Sequence, residues 1–187
     1  ITVGATGTTT FAENATLSGT ANNLGTVTAG TISAAIRPGI RQFIQNSTTT
    51  ETDGSFTGGT EYTITDMNVA ITPKASDSRI FITLGCGGMS QGAVAGVALT
   101  IKRITGGVTT VVRNISRYGY QGESDGWEQF AMTGINILDS PTIPSTPIEI
   151  VYQMYVTATT TGNFEINPNS SGNYHDGVVT AMEIGPN

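Results

Sequence analysis

The side chains that most often carry out hydrolysis are scarce in this sequence. His175 is the one histidine, and it would have to serve any Ser/His arrangement for nucleophilic catalysis. It lies between Tyr174 and Asp176 in a stretch of polar residues. We therefore interpret His175 as an exposed loop residue, with contact to a bound ligand as the alternative.

Paired carboxylates are the second chemistry to consider, because two of them across a cleft can cleave a glycosidic bond. Glu123 and Asp125 are the nearest candidates, but they lie in a Gly-rich stretch without a supporting shell. The sequence also lacks a Cys/His set for zinc and an Asp-rich calcium loop. We expect no enzyme, no cofactor and no metal, although identical side chains around a trimer axis could still assemble a metal site.

One stretch, residues 113–128, combines aromatic side chains with polar groups and holds the one tryptophan. Aromatic faces pack against the apolar side of a sugar ring while polar groups bind its hydroxyls, and protein-binding hot spots use similar residues. The hypothesis is a receptor site lined by Arg117, Tyr118, Tyr120, Glu123, Asp125 and Trp127.

Two alternatives to this receptor site stay open. Trp127 could start a strand and fill the core or a subunit interface, with Tyr118 and Tyr120 capping a hairpin. A second candidate surface is the polar stretch 167–176, which contains Tyr174 and His175 and could instead be a solvated loop.

The elements that must position these residues are strands. Apolar residues alternate with polar ones at period 2, turn residues separate the runs, and no helical spacing recurs over a helix-length window. A bulge or bend is expected around Thr133-Gly134, where the apolar parity changes. About eight or nine strands indicate an all-β, jelly-roll-like antiparallel β-sandwich. The predicted runs are Met67 to Ile71, Ile80 to Cys86, Val97 to Ile101 paired with Val108 to Val112, Phe130 to Ile137, Ile148 to Val156, Asn163 to Ile166 and Val178 to Ile184.

The chain is expected to divide near Pro38-Gly39. Residues 1–36 are rich in Thr, Gly, Ala and Asn, with few and widely spaced apolar side chains, so they cannot build a core alone. They suit a short, extended fibrous β segment shared between several chains, or else a disordered linker. Residues 37–187 form the globular head.

The composition of the chain limits the classes of partner that it can bind. The net charge of -6 opposes nucleic acid and anionic membranes, which attract basic patches. No apolar run is long enough to span a membrane, so we expect no membrane insertion. The start, Ile1-Thr2, lacks an initiator Met and indicates a piece of a longer chain. Cys86 is the one cysteine, on the apolar face of a predicted strand, and is read as a buried hydrophobe.

From Thr63 onward the order of motifs resembles the C-terminal domains of phage tail-fibre proteins, especially those of phages of aquatic and cyanobacterial hosts. The resemblance rests on Met67 to Pro73 followed by Ser76 to Ile82, on Leu138-Asp139-Ser140-Pro141, and on the last strand, Thr180 to Ile184. The Thr/Gly-rich N-terminal segment, residues 1–36, is similar to their fibre shafts.

This resemblance implies a homotrimer at the distal end of a tail fibre in the virion, where the heads attach to a host surface glycan or outer-membrane protein. We expect a receptor-binding protein on this ground. The alternative is a structural virion protein, such as a capsid decoration or fibre-assembly module, and an envelope-degrading enzyme is the third reading.

Overall fold

The computed structural model describes residues 39–91, 96–120, 127–146, 148–166 and 176–185, and for 88–91, 116–120 and 127–133 it describes the backbone alone. The predicted fibrous segment, 1–36, lies outside these residues. The described part consists of strands, turns and irregular connections, without a helix. The ten strands are β1 (Ile40–Thr48), β2 (Thr52–Phe56), β3 (Glu61–Ile71), β4 (Arg79–Gln91), β5 (Gly96–Thr105), β6 (Val108–Tyr120), β7 (Trp127–Asp139), β8 (Ile150–Ala158), β9 (Gly162–Ile166) and β10 (Gly177–Ile184).

The strands form two antiparallel sheets. The six-stranded sheet has the order β1-β10-β4-β9-β2, with β7 on the other edge of β4, and the four-stranded sheet has the order β3-β8-β5-β6. If the short strands β2 and β9 are left out, the eight long strands taken in chain order fall into sheets 1-8-3-6 and 2-7-4-5. That arrangement is a jelly roll, so the predicted fold class is confirmed for the described residues.

The short strands are continuations of long ones. β9 and β10 both pair with the same edge of β4, Ile166 opposite Gly88 and Val178 opposite Gly85. On the other side, β1 pairs with β10 and β2 pairs with β9, and both pairs are antiparallel. The six-stranded sheet is therefore four strands wide, and two of its strands are interrupted halfway.

The core lies between the sheets and contains the inward residues of each alternating run. The parity predicted for β4 is confirmed, because Ile80, Ile82, Leu84 and Cys86 are buried. β10 turns the other way: Val179 and Ala181 are in the core, so Val178, Thr180, Met182 and Ile184 share the outer face. Both parities of β10 are largely apolar, so alternation alone could not decide which one points inward.

The bulge expected near Thr133-Gly134 is confirmed. In the pairing of β4 with β7, Leu84 faces Ile135 while Cys86 faces Met132, so β7 carries one extra residue. Gly134 has a φ of 73°, a left-handed conformation that a residue without Cβ adopts freely. Ile135 and Ile137 then return to the core.

Two strands were not predicted, and one begins later than predicted. β1 and β2 lie at the edge of the six-stranded sheet, where polar residues occupy both faces, so alternation is weak in them. β8 starts at Ile150 rather than Ile148, which is 38% exposed in the preceding connection. The structure describes ten strands where about eight or nine were expected.

The sandwich has two distinct ends. Gly39 and Gly185 are hydrogen-bonded at one of them, Gly185 N donating to Gly39 O at 3.1 Å, and we call this the entry end. The turn after Phe56, the turn after Ala158, the last residue of β6 and the first residue of β7 lie at the other, the far end. At about 3.3 Å per residue, the 13 residues of β4 span about 40 Å between them.

Candidate functional site

The far end carries the boundaries of the candidate receptor stretch. Tyr120 ends β6 opposite Gly96 in the four-stranded sheet, and Trp127 begins β7 opposite Gln91 in the six-stranded sheet. The connection between them therefore crosses from one sheet to the other, and β6 and β7 are not a hairpin of one sheet. Trp127 does start a strand, as one alternative expected, but its side chain lies outside the described part.

Arg117 and Tyr118 lie in a wide irregularity of β6. Val97 faces Gly119 and Leu99 faces Ile115, so three residues of β6, 116–118, stand against the single residue Ala98, and β6 carries two extra residues. Bulges of this kind are frequent next to binding sites, because they redirect side chains. The backbone of Arg117 and Tyr118 is described, whereas Glu123 and Asp125 lie outside the described residues.

Tyr174 and His175, the second candidate surface, also lie outside the described residues. β9 ends before this stretch at Ile166, opposite Gly88 of β4, and β10 begins after it at Gly177, where the next residue, Val178, is opposite Gly85. Gly88 is three residues from Gln91, the partner of Trp127, or about 10 Å along the strand. The strand ends next to the two candidate surfaces are thus about 10 Å apart along β4.

A cluster of three aromatic side chains packs beneath the turns of the far end, inside the sandwich. Phe56 stacks on Tyr62 with ring centroids 4.4 Å apart, and it lies 5.5 Å from Phe164. Phe56 and Phe164 are buried. Thr57 N donates to the Tyr62 hydroxyl oxygen at 2.8 Å, and this hydrogen bond lowers the pKa of Tyr62.

Backbone hydrogen bonds join the turns at this end. Thr159 N donates to Gly96 O at 2.7 Å, Gly96 N donates to Thr159 Oγ1 at 2.9 Å, and Gly59 N donates to Ala158 O at 2.9 Å. A Cβ at Gly58 would lie 3.0 Å from the backbone of Thr160, so the two turns are in close contact. The chain thus presents the ends of β6 and β7 from a firmly connected base.

A group of carboxylates lies on the outer face of the six-stranded sheet, in the half nearer the far end. Asp53 and Glu165 are direct cross-strand partners of β2 and β9. Partial burial, followed by the negative charges of Glu51 and Asp53, raises the pKa of Glu165. No lysine or arginine of the described ranges forms an ion pair with this group; the ion pairs there are Arg41–Asp77, Lys102–Glu61 and Arg103–Asp139.

Two potential nucleophiles are built into strands. Burial raises the pKa of the Cys86 thiol to about 12, so the thiol stays protonated and enclosed. Ser90 is the centre of Gly88-Met89-Ser90-Gln91-Gly92, which has the spacing of a hydrolase nucleophile turn. That turn requires a strand followed by a helix, whereas Ser90 lies within β4 and pairs with β7 and β9 on both sides.

In the described ranges, no group of three or more His, Cys, Asp and Glu side chains is arranged to hold a metal ion. The same ranges contain no helix of the length and hydropathy needed to cross a membrane.

An apolar row that was not predicted from the sequence crosses the outer face of the six-stranded sheet. The register aligns Phe43 with Met182, Met182 with Phe81 and Phe81 with Leu138, one residue from each of four adjacent strands. Phe43 and Leu138 are 55% and 51% exposed. Only the long-range register brings these residues together, so no local window of sequence could have revealed the row.

Comparison with known proteins gives weak likeness of fold. No family model matches the sequence, and no curated protein matches it. Solved structures that resemble it include infectious bursal disease virus, Gx strain, at 16% identity over 81% of this chain and 42% of that one with a TM-score of 0.32. A VP2 subviral particle of that virus matches at 16% identity, 80% and 38% coverage and a TM-score of 0.36.

A mutant VP2 protein of the same virus, in T=1 particles, matches at 15% identity over 89% of this chain and 40% of that chain, with a TM-score of 0.37. The present chain thus spans less than half the length of these viral chains. At TM-scores below 0.5 the likeness carries no argument about function.

Proposed function

We propose that this chain is the receptor-binding end of a bacteriophage tail fibre, a homotrimeric binding module of the virion and not an enzyme. The observation that carries the proposal is the separation of the two ends of the sandwich. The described chain starts and finishes at the entry end, where Gly185 N meets Gly39 O. Tyr120 and Trp127, between which part of the candidate stretch lies, are at the opposite end, about 40 Å away.

This separation suits attachment at one end and recognition at the other. A fibre that joins the head through residues before Gly39 leaves the far end turned away from the join. The far end has a firm base in the Phe56, Tyr62 and Phe164 cluster and in the hydrogen bonds between its turns. Binding residues are most often on connections held by a rigid scaffold. Tyr118 and Tyr120 at the end of β6 and Trp127 at the start of β7 lie on either side of such a connection.

The proposed partner is a glycan or protein of a bacterial surface. The tail-fibre resemblance of the sequence from Thr63 onward supports it, and so do aromatic residues next to Arg117, Glu123 and Asp125. The net charge of -6 makes a nucleic acid the poorer partner.

The test is binding of the fluorescently labelled full chain to intact cells of a panel of cyanobacterial and other aquatic strains, with flow cytometry as the readout. We expect saturable binding to at least one strain, weakened at least tenfold by Trp127→Ala or Tyr120→Ala, because hot-spot aromatics each contribute about 2 kcal/mol. The matched control is Tyr155→Ala, a partly exposed tyrosine on the outer face of the four-stranded sheet.

Circular dichroism must show that each variant keeps the fold of the parent chain. Binding that survives both far-end substitutions, or that Tyr155→Ala weakens equally, would contradict a receptor site at the far end. Release of reducing ends from host polysaccharide would contradict the proposal that the protein only binds.

A structural virion module is the second candidate, and the apolar row from Phe43 to Leu138 favours it because exposed apolar faces are typical of assembly surfaces. The two candidates differ in one measurement. A receptor-binding head competes with phage for host cells as a free protein, whereas a structural module assembles without binding them.

A further inference from the structure

We infer that the entry-end half of the outer face of the six-stranded sheet is the surface through which copies of this chain contact one another. The central observation is the apolar row that the register builds across four strands: Phe43 of β1, Met182 of β10, Phe81 of β4 and Leu138 of β7. We call this set, together with Ile40 and Ile184, the apolar band.

The neighbouring rows define the limits of the apolar band. Towards the entry end, Ile40 pairs with Ile184 and Ile184 with Arg79. Towards the far end, the next row is polar, and the hydroxyls of its two central threonines are hydrogen-bonded to each other. That polar row consists of Gln45, Thr180, Thr83 and Asn136.

The dimensions fit the centre of a protein interface. Three strand spacings give about 14 Å across the band, and the two rows cover an area on the order of 300 Å² with their side chains. A standard interface buries about 800 Å² per partner, with an apolar centre and a polar rim. The apolar band supplies that centre, and the row that begins at Gln45 supplies part of the rim.

Charge favours a second copy as the occupant. The chain carries a net charge of -6, so two copies repel each other over most approaches. The three rows contain no Asp or Glu, and the one carboxylate of β10, Glu183, points away from this face and is fully buried. Copies can therefore meet here without bringing carboxylates together.

The place where residues 1–36 join the head also favours a second copy as the partner of the apolar band. Residues 1–36 have too few apolar side chains to fold singly, and the sequence predicts that several chains share them. This segment joins the head just before Ile40, a member of the apolar band that is 63% exposed. Such a segment has too few apolar side chains to hold the copies together by itself, so the heads have to supply the contact, and the apolar band lies beside the point where the segment joins them.

The arrangement also allows a closed ring. Phe43 and Leu138 lie on opposite margins of the sheet and are exposed to almost the same extent. Contact of the β1 margin of one copy with the β7 margin of the next is a heterologous contact, which closes into a ring when the rotation fits. The inference does not depend on receptor binding, because it concerns the other end of the head.

The test is the solution mass of the full chain by light scattering, for the parent and for Phe43→Asp and Leu138→Asp. We expect the parent at a multiple of 19.4 kDa and both variants at the mass of one chain. The matched control is Val111→Asp on β6, because Val111 is 55% exposed, the same fraction as Phe43, but lies on the other sheet. This control should keep the mass of the parent.

A second measurement needs no substitution. Met182 lies in the middle of the apolar band, so its oxidation by hydrogen peroxide, followed by peptide mass spectrometry, should be slow in the assembled parent and at least fivefold faster when dilution lowers the mass to one chain.

A milder variant, Leu138→Thr, replaces Leu138→Asp if circular dichroism shows that the latter is unfolded.

Three results would overturn the inference. One is a parent chain that is a monomer at every concentration measured. Another is an assembly whose mass Phe43→Asp and Leu138→Thr leave unchanged. The third is dissociation by Val111→Asp to the same extent as by the band variants. A monomeric parent would also contradict the homotrimer of the proposed function, but none of these results bears on whether the far end binds host cells. Receptor binding and the contact surface are therefore tested separately.

Discussion

Gln153 is the residue on which the largest irregularity of the four-stranded sheet depends. In the pairing of β3 with β8, Thr63 faces Tyr155 while Asn68 faces Gln153, so residues 64–67 bulge from the ladder. Gln153 is 9% exposed, and its Nε2 donates to Ile64 O at 2.8 Å and to Met67 O at 3.1 Å. One amide thus satisfies carbonyl groups that the ladder leaves without partners.

The substitution Gln153→Glu tests this role at nearly constant shape. The carboxylate cannot donate, and it places negative charge against carbonyl oxygens, so we expect the free energy of unfolding to fall by about 2 to 3 kcal/mol in urea denaturation. Thr110→Glu is the control, because a carboxylate at an exposed position of β6, outside the proposed contact surface, should cost less than about 0.5 kcal/mol. Equal losses in the two variants would show that Gln153 has no special role.

Asp66 shows how neighbouring residues hold the same bulge. It has a φ of 59°, unusual for a residue with a Cβ. Thr50 Oγ1 donates to Asp66 Oδ2 at 2.7 Å, and Asn46 Nδ2 donates to Asp66 O at 2.9 Å, both from the β1–β2 region. The bulge is therefore fixed by residues of the other sheet as well as by Gln153.

At the scale of elements, charge repulsion weakens the pairing of β2 with β9. Asp53 and Glu165 are directly opposite, and like charges in that position are destabilising. The pKa of Glu165 is raised, so its ionised form is disfavoured in the folded state. The stability linked to this group is therefore present below its ordinary pKa and is lost as the pH rises through the folded-state value.

Glu165→Gln should accordingly stabilise the protein at pH 7. Cross-strand like charges cost a few tenths of a kcal/mol to about 1 kcal/mol, and we expect a gain in that range in urea denaturation at low salt. The gain should shrink as the pH falls from the raised folded-state pKa of Glu165 towards its ordinary value, and as salt is added. Glu61→Gln should have the opposite sign because Glu61 forms an ion pair with Lys102, and a loss of stability in Glu165→Gln would contradict the argument.

The sequence predicted the inward face of those strands that have one apolar parity. β4 alternates clearly, and the parity change at Gly134 located the β7 bulge. β2 is short and polar, so it becomes a strand only through its partner β9, more than 100 residues away. Long-range pairing of this kind stabilises a segment that has little local preference for a strand.

At the scale of the whole molecule, one polar cluster connects the two sheets near the entry end. Arg103 of β5 donates through Nη1 to both carboxylate oxygens of Asp139 of β7, at 2.9 and 2.7 Å. Tyr152 of β8 donates its hydroxyl to Asp139 Oδ2 at 2.8 Å. Burial, followed by the negative charge of Asp139, raises the pKa of Tyr152, so the hydroxyl keeps the proton it donates.

Asp139→Ala should be strongly destabilising, because it leaves a mostly enclosed guanidinium and a buried hydroxyl without their acceptor. We expect a loss of about 3 kcal/mol, against about 1 kcal/mol for Tyr152→Phe, in urea denaturation. In the double variant the Tyr152 change should cost less than alone, since its partner is already gone. Costs that simply add would contradict a shared cluster, and Glu61→Ala at the more exposed Lys102 pair should cost less than about 1 kcal/mol.

The sequence located the candidate receptor stretch but not its setting. The composition of residues 113–128 singles them out, and the pairing of Tyr120 with Gly96 and of Trp127 with Gln91 shows that the two strands of this stretch belong to different sheets and reach the far end. Composition could not supply this, because the end at which a connection lies follows from the order of all strands. The apolar row was missed for the same reason, since its residues come from four distant segments.

The direction of β1 has a mechanical consequence. β1 starts at Gly39 and Ile40, runs along β10 and is continued by β2 towards the far end. A pulling force between the chain before Gly39 and a ligand held at the far end acts parallel to β1, whereas the hydrogen bonds of an antiparallel ladder are perpendicular to the strands. The force therefore shears all the β1–β10 pairs from Ile40 to Thr48 at once instead of opening them one after another, the geometry in which a tethered head best withstands tension.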